Sequence, residues 1–295
     1  MATQKPFRFG LAAVQGSSRT AWRDKAHKIE DLGYDVLLLP DHMYMDLAPT
    51  AALAAAAEAT QTLRIGSFVF CNDFRHPALL AREAATLDLL SEGRFELGLG
   101  AGYDPNDYTQ TGIPFDPPGV RLSRLEETLL IVRQFFTEET VNFSGQHFTI
   151  TGLRGFPRPI QQPHPPIMLG GKGKRLLSLG ARLATGLSVG FQSIIDTERR
   201  FLPTSPQEVE EKLSWIRQAA GERYSQLELG YTLFFVQETP QSVHAPLNFH
   251  TLIGTREQMI DELLERRARF GFSYVQVTEQ AMDLFAPIVA WLAEK

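Results

Sequence analysis

The chain has 295 residues, 43% of them hydrophobic and 21% charged, so it is long enough to bury a large core in one α/β domain or in two small ones. A formal net charge of −5 argues against an electrostatic nucleic-acid binder, because phosphate contacts require clustered Lys and Arg. The sequence has no secretory signal, no apolar run that would span a bilayer and a single cysteine, Cys71, which together predict a cytoplasmic protein with a small-molecule partner.

Strands and helices alternate along the first half of the chain. Phe7 to Val14 is an extended apolar run, and Thr20 to Leu32 repeats its apolar residues with helical periodicity until Gly33 ends it. The same order of strand and helix then recurs. The next predicted strands are Asp35 to Pro40, Leu63 to Phe70 and Arg94 to Gly100, and the helices after them begin at Pro49, Pro77 and Arg121.

A β-hairpin interrupts this alternation. The segment Thr140 to Ile150 (TVNFSGQHFTI) alternates with a period of two around Ser144 and Gly145, which is typical of two antiparallel strands joined by a tight turn. The following segment, Gly152 to Pro166, is rich in Pro and Gly, so we interpret it as a long loop.

Alternation then resumes and continues to the end of the chain. The count reaches eight strands, which favours a closed parallel barrel over an open sheet. No GxGxxG motif follows the first strand, so an open dinucleotide-binding sheet loses its main support. We therefore predict a single α/β domain, residues 1–295, folded as a (β/α)8 TIM barrel with an inserted β-hairpin and long loops. The remaining strands are predicted at Pro166 to Gly171, at Thr185 to Val189, from Leu227 and from Tyr274. The remaining helices are predicted around Arg175 to Leu183, at Ser205 to Ala220, at Thr255 to Phe270 and at the end of the chain, where the last helix ends near Leu292.

Residues just past the C-terminal ends of the strands form the active site of such a barrel. Asp41 and His42 follow the second predicted strand. An imidazole titrates close to neutral pH and exchanges protons with a bound substrate, so we predict that both residues are catalytic. The structural alternative is that His42 hydrogen-bonds a neighbouring loop while Asp41 caps a turn.

Two glycine-rich strand ends are candidates for cofactor contacts. The segment Gly98 to Asp107 (GLGAGYDPND) packs three glycines into five residues, which lets backbone approach a flat or anionic ligand, although a plain β-turn has the same composition. In Leu169 to Arg175 (LGGKGKR), two glycines before a helix expose backbone N–H groups to a phosphate. Lys172 and Lys174 either add charge there or are simply solvated. No Cys/His cluster has the spacing of a zinc site, so we expect no metal.

Four segments carry a resemblance to a known family. The chain resembles the bacterial luciferase-like superfamily and, within it, the branch that depends on the deazaflavin coenzyme F420. The resemblance covers most of the chain in the right order and is specific for the family, but much less so for the substrate. The matching segments are Leu39 to Tyr44 (LPDHMY), Leu63 to Tyr108, Gly112 to Ile131 and Pro165 to Leu177 (PPIMLGGKGKRLL).

The resemblance implies roles for residues at several strand ends. Asp41 and His42 would lie beside the isoalloxazine-like ring, with His42 near the substrate. The third strand would contain a bulge in which a non-prolyl cis peptide bond, Phe68-Val69, backs that ring. The cofactor-binding residues implied in this way are Ser67, Phe68 and Val69 at the bulge, Ala101, Gly102 and Asn106 at the ribityl chain and phosphate, and Gly170, Gly171 and Lys172 at the phosphate.

The chain also departs from the family pattern. Sugar-phosphate dehydrogenases of this branch carry a glutamate where Tyr103 stands and a tryptophan where Asp46 stands, so their proton-transfer scheme cannot be transferred whole. Many relatives place an acid where Thr185 stands. Substrate identity would depend on the loop Gly152 to Pro166 and on the region Phe191 to Pro203, neither of which carries a recognisable code.

The cofactor decides the reaction. A flavin forms an oxygen adduct and inserts oxygen, whereas a deazaflavin is confined essentially to hydride transfer. The resemblance favours coenzyme F420, so we predict an oxidoreductase that transfers a hydride between this coenzyme and a small organic substrate, with His42 exchanging the proton. The alternatives are an FMN-dependent monooxygenase that uses molecular oxygen and a non-catalytic flavin-binding relative. The resemblance also implies a homodimer.

Overall fold

The computed structural model describes residues 5–190, 204–243 and 247–293. All eight predicted barrel strands are present, and the third of them is divided into two short pieces, Arg64–Ser67 and Phe70–Cys71. Outside the barrel, the described residues form an antiparallel hairpin and a small parallel pair of strands. The strands are β1 (Arg8–Ala12), β2 (Val36–Leu39), β3 (Arg64–Ser67), β4 (Phe70–Cys71), β5 (Phe95–Gly100), β6 (Thr140–Ser144), β7 (Thr149–Arg154), β8 (Ile167–Gly171), β9 (Gly186–Val189), β10 (Glu228–Leu233), β11 (Phe235–Glu238), β12 (Thr251–Gly254) and β13 (Phe272–Thr278).

The main sheet closes on itself. Its strands follow the order β3, β2, β1, β13, β10, β9, β8, β5, β4, and β3 also pairs with β5. The pairs β1 with β13, β10 with β13 and β3 with β5 are parallel. Because β3 and β4 together occupy one position, the sheet is a closed barrel of eight parallel strands, and the predicted (β/α)8 TIM barrel is confirmed.

The barrel strands are short and largely buried, and their composition varies from the wholly apolar β2 to β5, which also contains Glu96 and two glycines. All four residues of β2 and all six of β5 are buried. This continuous burial is expected for parallel strands that are covered on both faces, in contrast to the alternating pattern of a half-exposed strand.

Helices follow most barrel strands and begin at residues suited to a helix start. Pro77 is the first residue of its helix, and Thr255 forms a capping box with Gln258. The helices are α1 (Arg19–Asp31), α2 (Pro49–Ala59), α3 (Pro77–Leu90), α4 (Pro105–Thr111), α5 (Pro118–Thr137), α6 (Lys174–Leu183), α7 (Pro206–Ala220), α8 (Arg256–Phe270) and α9 (Met282–Leu292).

The predicted hairpin is present as β6 and β7, but two other predictions need correction. The apolar run from Leu227 is two strands rather than one, because it breaks at Phe234 and β11 then pairs with the unpredicted β12. Helix α4 also lies where we expected only loop. Its N-cap Asp104 accepts a hydrogen bond from the amide of Asn106, and Gly112 ends it in the left-handed conformation.

The chain divides into two compact units. The first unit comprises residues 14–26 and 38–168, and the second comprises the residues up to Ala13, residues 27–37 and the residues from Leu169 onward. The single domain over 1–295 stays a prediction. Within the described ranges, no helix has the length and apolar character needed to cross a membrane. The region 191–203, expected to influence substrate choice, lies outside the described residues.

Candidate functional site

Asp41 follows β2 in the first unit and is a buried ion-pair residue. Arg75 contacts both oxygens of its carboxylate, and the amide of Cys71 donates to Oδ2 at 3.0 Å. The guanidinium of Arg75 also lies 4.3 Å above the centre of the Phe70 ring. Because both carboxylate oxygens are engaged, Asp41 is placed to hold the end of β2 against β4.

The third barrel strand contains the predicted bulge. Five steps along it, from Ile65 to Phe70, face only four steps along β5, from Phe95 to Leu99, so one extra residue is inserted. The Phe68-Val69 peptide bond is cis, as the resemblance implied. Both of these side chains are partly exposed.

Two sets of hydrogen bonds fix the position of this bulge. The amide of Phe68 donates to the carbonyl oxygen of Leu39 at 2.7 Å, which ties the bulge to the end of β2. The hydroxyl of Ser67 donates to the carbonyl of Gly98 at 2.8 Å and accepts from its amide at 2.9 Å. A Cβ at Gly98 would lie 2.0 Å from the Ser67 carbonyl oxygen, so only glycine permits this approach of the strands.

His42 is paired with Asp107 rather than with its neighbour Asp41. Its Nδ1 lies 2.6 Å from Oδ2 of Asp107, whose Oδ1 accepts from the amide of Met43 at 2.9 Å. A carboxylate only accepts hydrogen bonds, so the proton of the neutral ring is assigned to Nδ1. Nε2 is then an acceptor, and the hydroxyl of Tyr103 lies 3.2 Å from it.

Two tyrosines surround the His42 ring. Tyr44 stacks on it with ring centres 4.9 Å apart, and Tyr103 meets it edge-on at 5.3 Å. Desolvation, followed by the effects of Tyr44, Asp104 and Asp107, raises the pKa of Tyr103 to about 12. Desolvation and the charges of Asp107 and Asp104 also raise the pKa of Tyr44. Both phenols are therefore protonated at neutral pH.

The turn after β5 packs against a buried network of polar side chains. Gly102 has a φ of +74°, and a Cβ there would lie 2.0 Å from the hydroxyl of Tyr108. That hydroxyl donates to Asp73 at 3.1 Å, and Arg124 pairs with the same carboxylate at 3.2 Å. Burial is the main cause of a raised pKa at Tyr108. These contacts hold the Gly102 turn in one place.

The remaining predicted residues of this turn differ in exposure. The carbonyl oxygen of Ala101 accepts from Nε of Arg121 at 3.2 Å. Asn106 is exposed in the first turn of α4. The structure thus brings Asp41, His42 and the strand ends after β2, β3 and β5 into one region of the first unit.

Gly170, Gly171 and Lys172 belong to the second unit. The carbonyl of Gly171 accepts from the amide of Gly190 at 2.8 Å, and that of Lys172 accepts from Nζ of Lys212, also at 2.8 Å. The N-cap of α6, Gly173, offers no side chain, and a Cβ there would meet nothing within 4 Å. Uncapped amides, open space and exposed lysines suit an anionic group.

Two departures from the family pattern have simple positions. Asp46 is exposed and accepts a hydrogen bond from the amide of Gly16 at 3.1 Å. Thr185 precedes β9 and therefore stands at the N-terminal end of that strand, where barrel residues serve stability.

The family model of luciferase-like monooxygenases matches residues 4–245. The chain belongs to the luciferase-like monooxygenase family. A named relative of this luciferase-like protein is the F420-dependent glucose-6-phosphate dehydrogenase of Amycolatopsis mediterranei, which is 32% identical over 50% of this chain and 46% of its own. The curated relatives are matched over about half of their length.

Solved structures agree with the fold of this luciferase-like protein. The coenzyme F420 dependent tetrahydromethanopterin reductase of Methanopyrus kandleri has a TM-score of 0.79 at 17% identity and covers 97% of this chain and 99% of its own. The monooxygenase RslO1 of Streptomyces bottropensis has a TM-score of 0.74 at 20% identity, with coverages of 97% and 98%. At these identities the similarity establishes the fold alone.

Sequence reasoning missed Asp107 in this luciferase-like protein. The rule of strand ends stops near Asn106, whereas Asp107 lies on α4. The capping residue Asp104 before Pro105 indicates a helix start, and this signal places Asp107 in the first turn of a helix, where its carboxylate contacts His42.

Proposed function

We propose that this protein transfers a hydride between the deazaflavin coenzyme F420 and a small organic substrate. The observation that carries the proposal is the bulged third strand, which is bonded to Leu39 just before Asp41 and His42. F420-dependent relatives at 30 to 32% identity support the choice of coenzyme. When bound, a deazaflavin supplies hydride transfer and not oxygen insertion.

The chain's own residues divide the work of binding in this proposal. Ser67, Phe68 and Val69 support one face of the ring, and Asp41 keeps the ends of β2 and β4 in register beside it. The partly exposed side chains at the bulge fit a flat apolar ligand. The residues proposed to contact the ribityl chain and the anionic groups are Ala101, Gly102, Asn106, Gly170, Gly171 and Lys172.

His42 is proposed to hold and move the proton that accompanies the hydride. Its ring is only 16% exposed, is held between two tyrosines and has Asp107 on Nδ1. This arrangement fixes the ring and leaves Nε2 as the atom that gains or loses a proton.

A fluorescence titration of the purified protein with coenzyme F420 and, separately, with FMN tests the choice of cofactor. We expect quenching by coenzyme F420 with a Kd on the order of micromolar and much weaker binding of FMN. A charged side chain at the bulge in Val69→Asp should abolish binding. The matched control Val120→Asp, at a partly exposed valine on α5, should leave it unchanged. Micromolar binding of FMN without binding of coenzyme F420 would contradict the proposal.

The second candidate is an FMN-dependent monooxygenase. The family model that matches this chain is named for monooxygenases, which is the observation in its favour. Oxygen consumption by the reduced, FMN-loaded protein during turnover would support this candidate. Anaerobic turnover of enones, imines or alcohols with coenzyme F420 would support the first, and a protein that binds either cofactor without turnover would be a non-catalytic relative.

We also propose a cytoplasmic homodimer, as the resemblance implies. The α3 helix exposes Leu79 by 58% and Leu90 by 62%, and these residues lie on the same side of the helix at a spacing of eleven. Light scattering of the purified protein measures the mass directly. A mass of one chain at micromolar concentration would contradict this part of the proposal.

A further inference from the structure

Three side chains in the first unit form a continuous line of hydrogen bonds from the interior to the surface. Asp107 at the inner end is 3% exposed, and its Oδ2 lies 2.6 Å from Nδ1 of His42. Nε2 of His42 lies 3.2 Å from the hydroxyl of Tyr103, which is 72% exposed at the outer end. Water or a substrate can therefore reach this line of hydrogen bonds at its Tyr103 end.

We infer that Tyr103 is a further catalytic residue, whose hydroxyl exchanges the substrate's proton and passes it to or from Nε2 of His42. Asp107 is a positioning residue that holds the His42 ring with its proton on Nδ1. The inference deepens the proposed function and rests on it, because the proton partner of a hydride transfer is what the line supplies.

Access to the two proton-bearing atoms favours Tyr103 as the group that meets the substrate. The His42 side chain is 16% exposed, and its ring is covered by Tyr44 on one face and by the edge of Tyr103. The Tyr103 hydroxyl occupies the position next to Nε2. A substrate therefore contacts the phenol before it contacts the imidazole nitrogen.

The direction of the hydrogen bonds sets what Tyr103 does. Because Nε2 of neutral His42 is an acceptor, the Tyr103 hydroxyl donates to it, and its oxygen, which is also hydrogen-bonded to the Tyr44 hydroxyl, has a lone pair that can take a proton from outside. The titratable groups around the phenol are Tyr44, Asp104 and Asp107, and desolvation with these neighbours raises the pKa of Tyr103 to about 12. A phenol that stays protonated cannot act as a base by itself, so it needs His42 as the final acceptor.

The proton balance is complete for the oxidation of an alcohol. The substrate's O–H bond breaks and an O–H bond forms on Tyr103, while the original phenol proton moves to Nε2 of His42. The carbon–hydrogen bond breaks at the same time, its electron pair leaves with the hydride to the oxidised deazaflavin, and a carbonyl group forms. Reduction of a carbonyl runs the same transfers in reverse. The substrate class is thus an alcohol and carbonyl pair, or an amine and imine pair.

The first test uses the protein without cofactor and reads the His42 ring by ¹⁵N NMR, assigned by comparison with His42→Gln. At a pH where His42 is neutral, we expect a protonated Nδ1 and an unprotonated, hydrogen-bonded Nε2. Tyr103→Phe should shift the Nε2 resonance and leave Nδ1 protonated. Asp107→Asn should shift the Nδ1 resonance, because the Nδ1 proton loses its anionic acceptor. A protonated Nε2 in the wild type, or an Nε2 resonance that ignores Tyr103→Phe, would overturn the inference.

The second test measures turnover with coenzyme F420 and a secondary alcohol or imine found by screening. We expect Tyr103→Phe and His42→Ala each to lower kcat by about 100-fold or more, with the Kd for coenzyme F420 within about threefold of the wild type. The double variant should be no slower than the slower single variant, because the two groups act in series. Tyr224→Phe, on the turn before β10, is the matched control and should be unchanged.

The outcomes separate this inference from the proposed function. Failure to bind coenzyme F420 would contradict the proposed function, while the NMR result would still report whether the hydrogen-bonded line exists. Binding and turnover with unchanged kcat in Tyr103→Phe would leave the proposed function standing and overturn the role of Tyr103. Losses that multiply in the double variant would show two independent roles and would also overturn it.

Discussion

Two carboxylates of the first unit, Asp41 and Asp107, each hold a cationic or titratable partner, but the two partners differ in what they can do with a proton. Asp41 pairs with Arg75 and with the amide of Cys71, and Arg75 also lies 3.7 Å from the half-exposed Glu83. Asp107 contacts His42, and the line continues to the exposed Tyr103. Charge and burial alone therefore do not identify chemistry. The pair that contains His42 can exchange a proton, whereas the pair that contains Arg75, which stays protonated, supports the structure.

The largest effect on the free energy of unfolding is expected for Asp41→Ala. Removing one partner of a buried ion pair costs about 3 to 5 kcal/mol, because the Cys71 amide loses its acceptor and Arg75 keeps only the longer contact with Glu83 at 3.7 Å. Urea unfolding measures the loss. Asp46→Ala, which removes an exposed acceptor of one amide bond, is the matched control and should cost less than about 1 kcal/mol. Equal losses for the two variants would break the comparison.

The second largest effect on the free energy of unfolding is expected for Gly102→Ala. The residue has a φ of +74°, and the new Cβ would meet the Tyr108 hydroxyl at 2.0 Å, so we expect a loss of about 2 to 4 kcal/mol. Gly112→Ala separates the two causes, because Gly112 has a similar φ of +72° but open space around it. Thermal unfolding should show a smaller loss for Gly112→Ala. If Gly102→Ala lost no more stability than Gly112→Ala, the hydrogen-bonded network around Tyr108 would not hold the Gly102 turn rigidly.

The buried thiol of Cys71 should make the free energy of unfolding depend on pH in the alkaline range. Burial raises the pKa of its thiol from 9.0 to about 11, so the unfolded chain releases this proton at lower pH than the folded chain does. The resulting stability is complete below about pH 9 and is lost as the pH rises through 11, by about 2 kcal/mol. The free energy of unfolding, measured from pH 8 to 11, should fall more steeply for the wild type than for Cys71→Ala. Parallel curves would contradict this assignment.

The smallest effect on stability is expected for Tyr103→Phe, one of the two variants with the largest expected effect on turnover. Tyr103 is 72% exposed, so Tyr103→Phe should change the free energy of unfolding by less than about 0.5 kcal/mol. Urea unfolding of this variant, compared with Asp41→Ala, sharpens the contrast between the pair that contains His42 and the pair that contains Arg75. A loss above about 2 kcal/mol would make Tyr103 a structural residue.

The barrel could be predicted because its strands are short and mostly apolar and because the helices that alternate with them begin at residues such as Pro77 and Thr255. The Phe68-Val69 bond came from the family resemblance, since two apolar residues carry no local indication of a cis peptide. The sequence did not reveal that Arg75 contacts Asp41, or that Asp107 and not Asp41 contacts His42. These partners lie 34 and 65 positions apart, and only the packing of loops and α4 brings them together.

A crystal structure of the protein soaked with oxidised coenzyme F420 tests the central claim most directly. We predict that the deazaflavin ring lies against the Phe68-Val69 bulge, with the Tyr103 hydroxyl and the His42 ring beside the reactive edge. Coenzyme density elsewhere on the molecule, with the bulge and the Tyr103 hydroxyl open to water, would contradict the account.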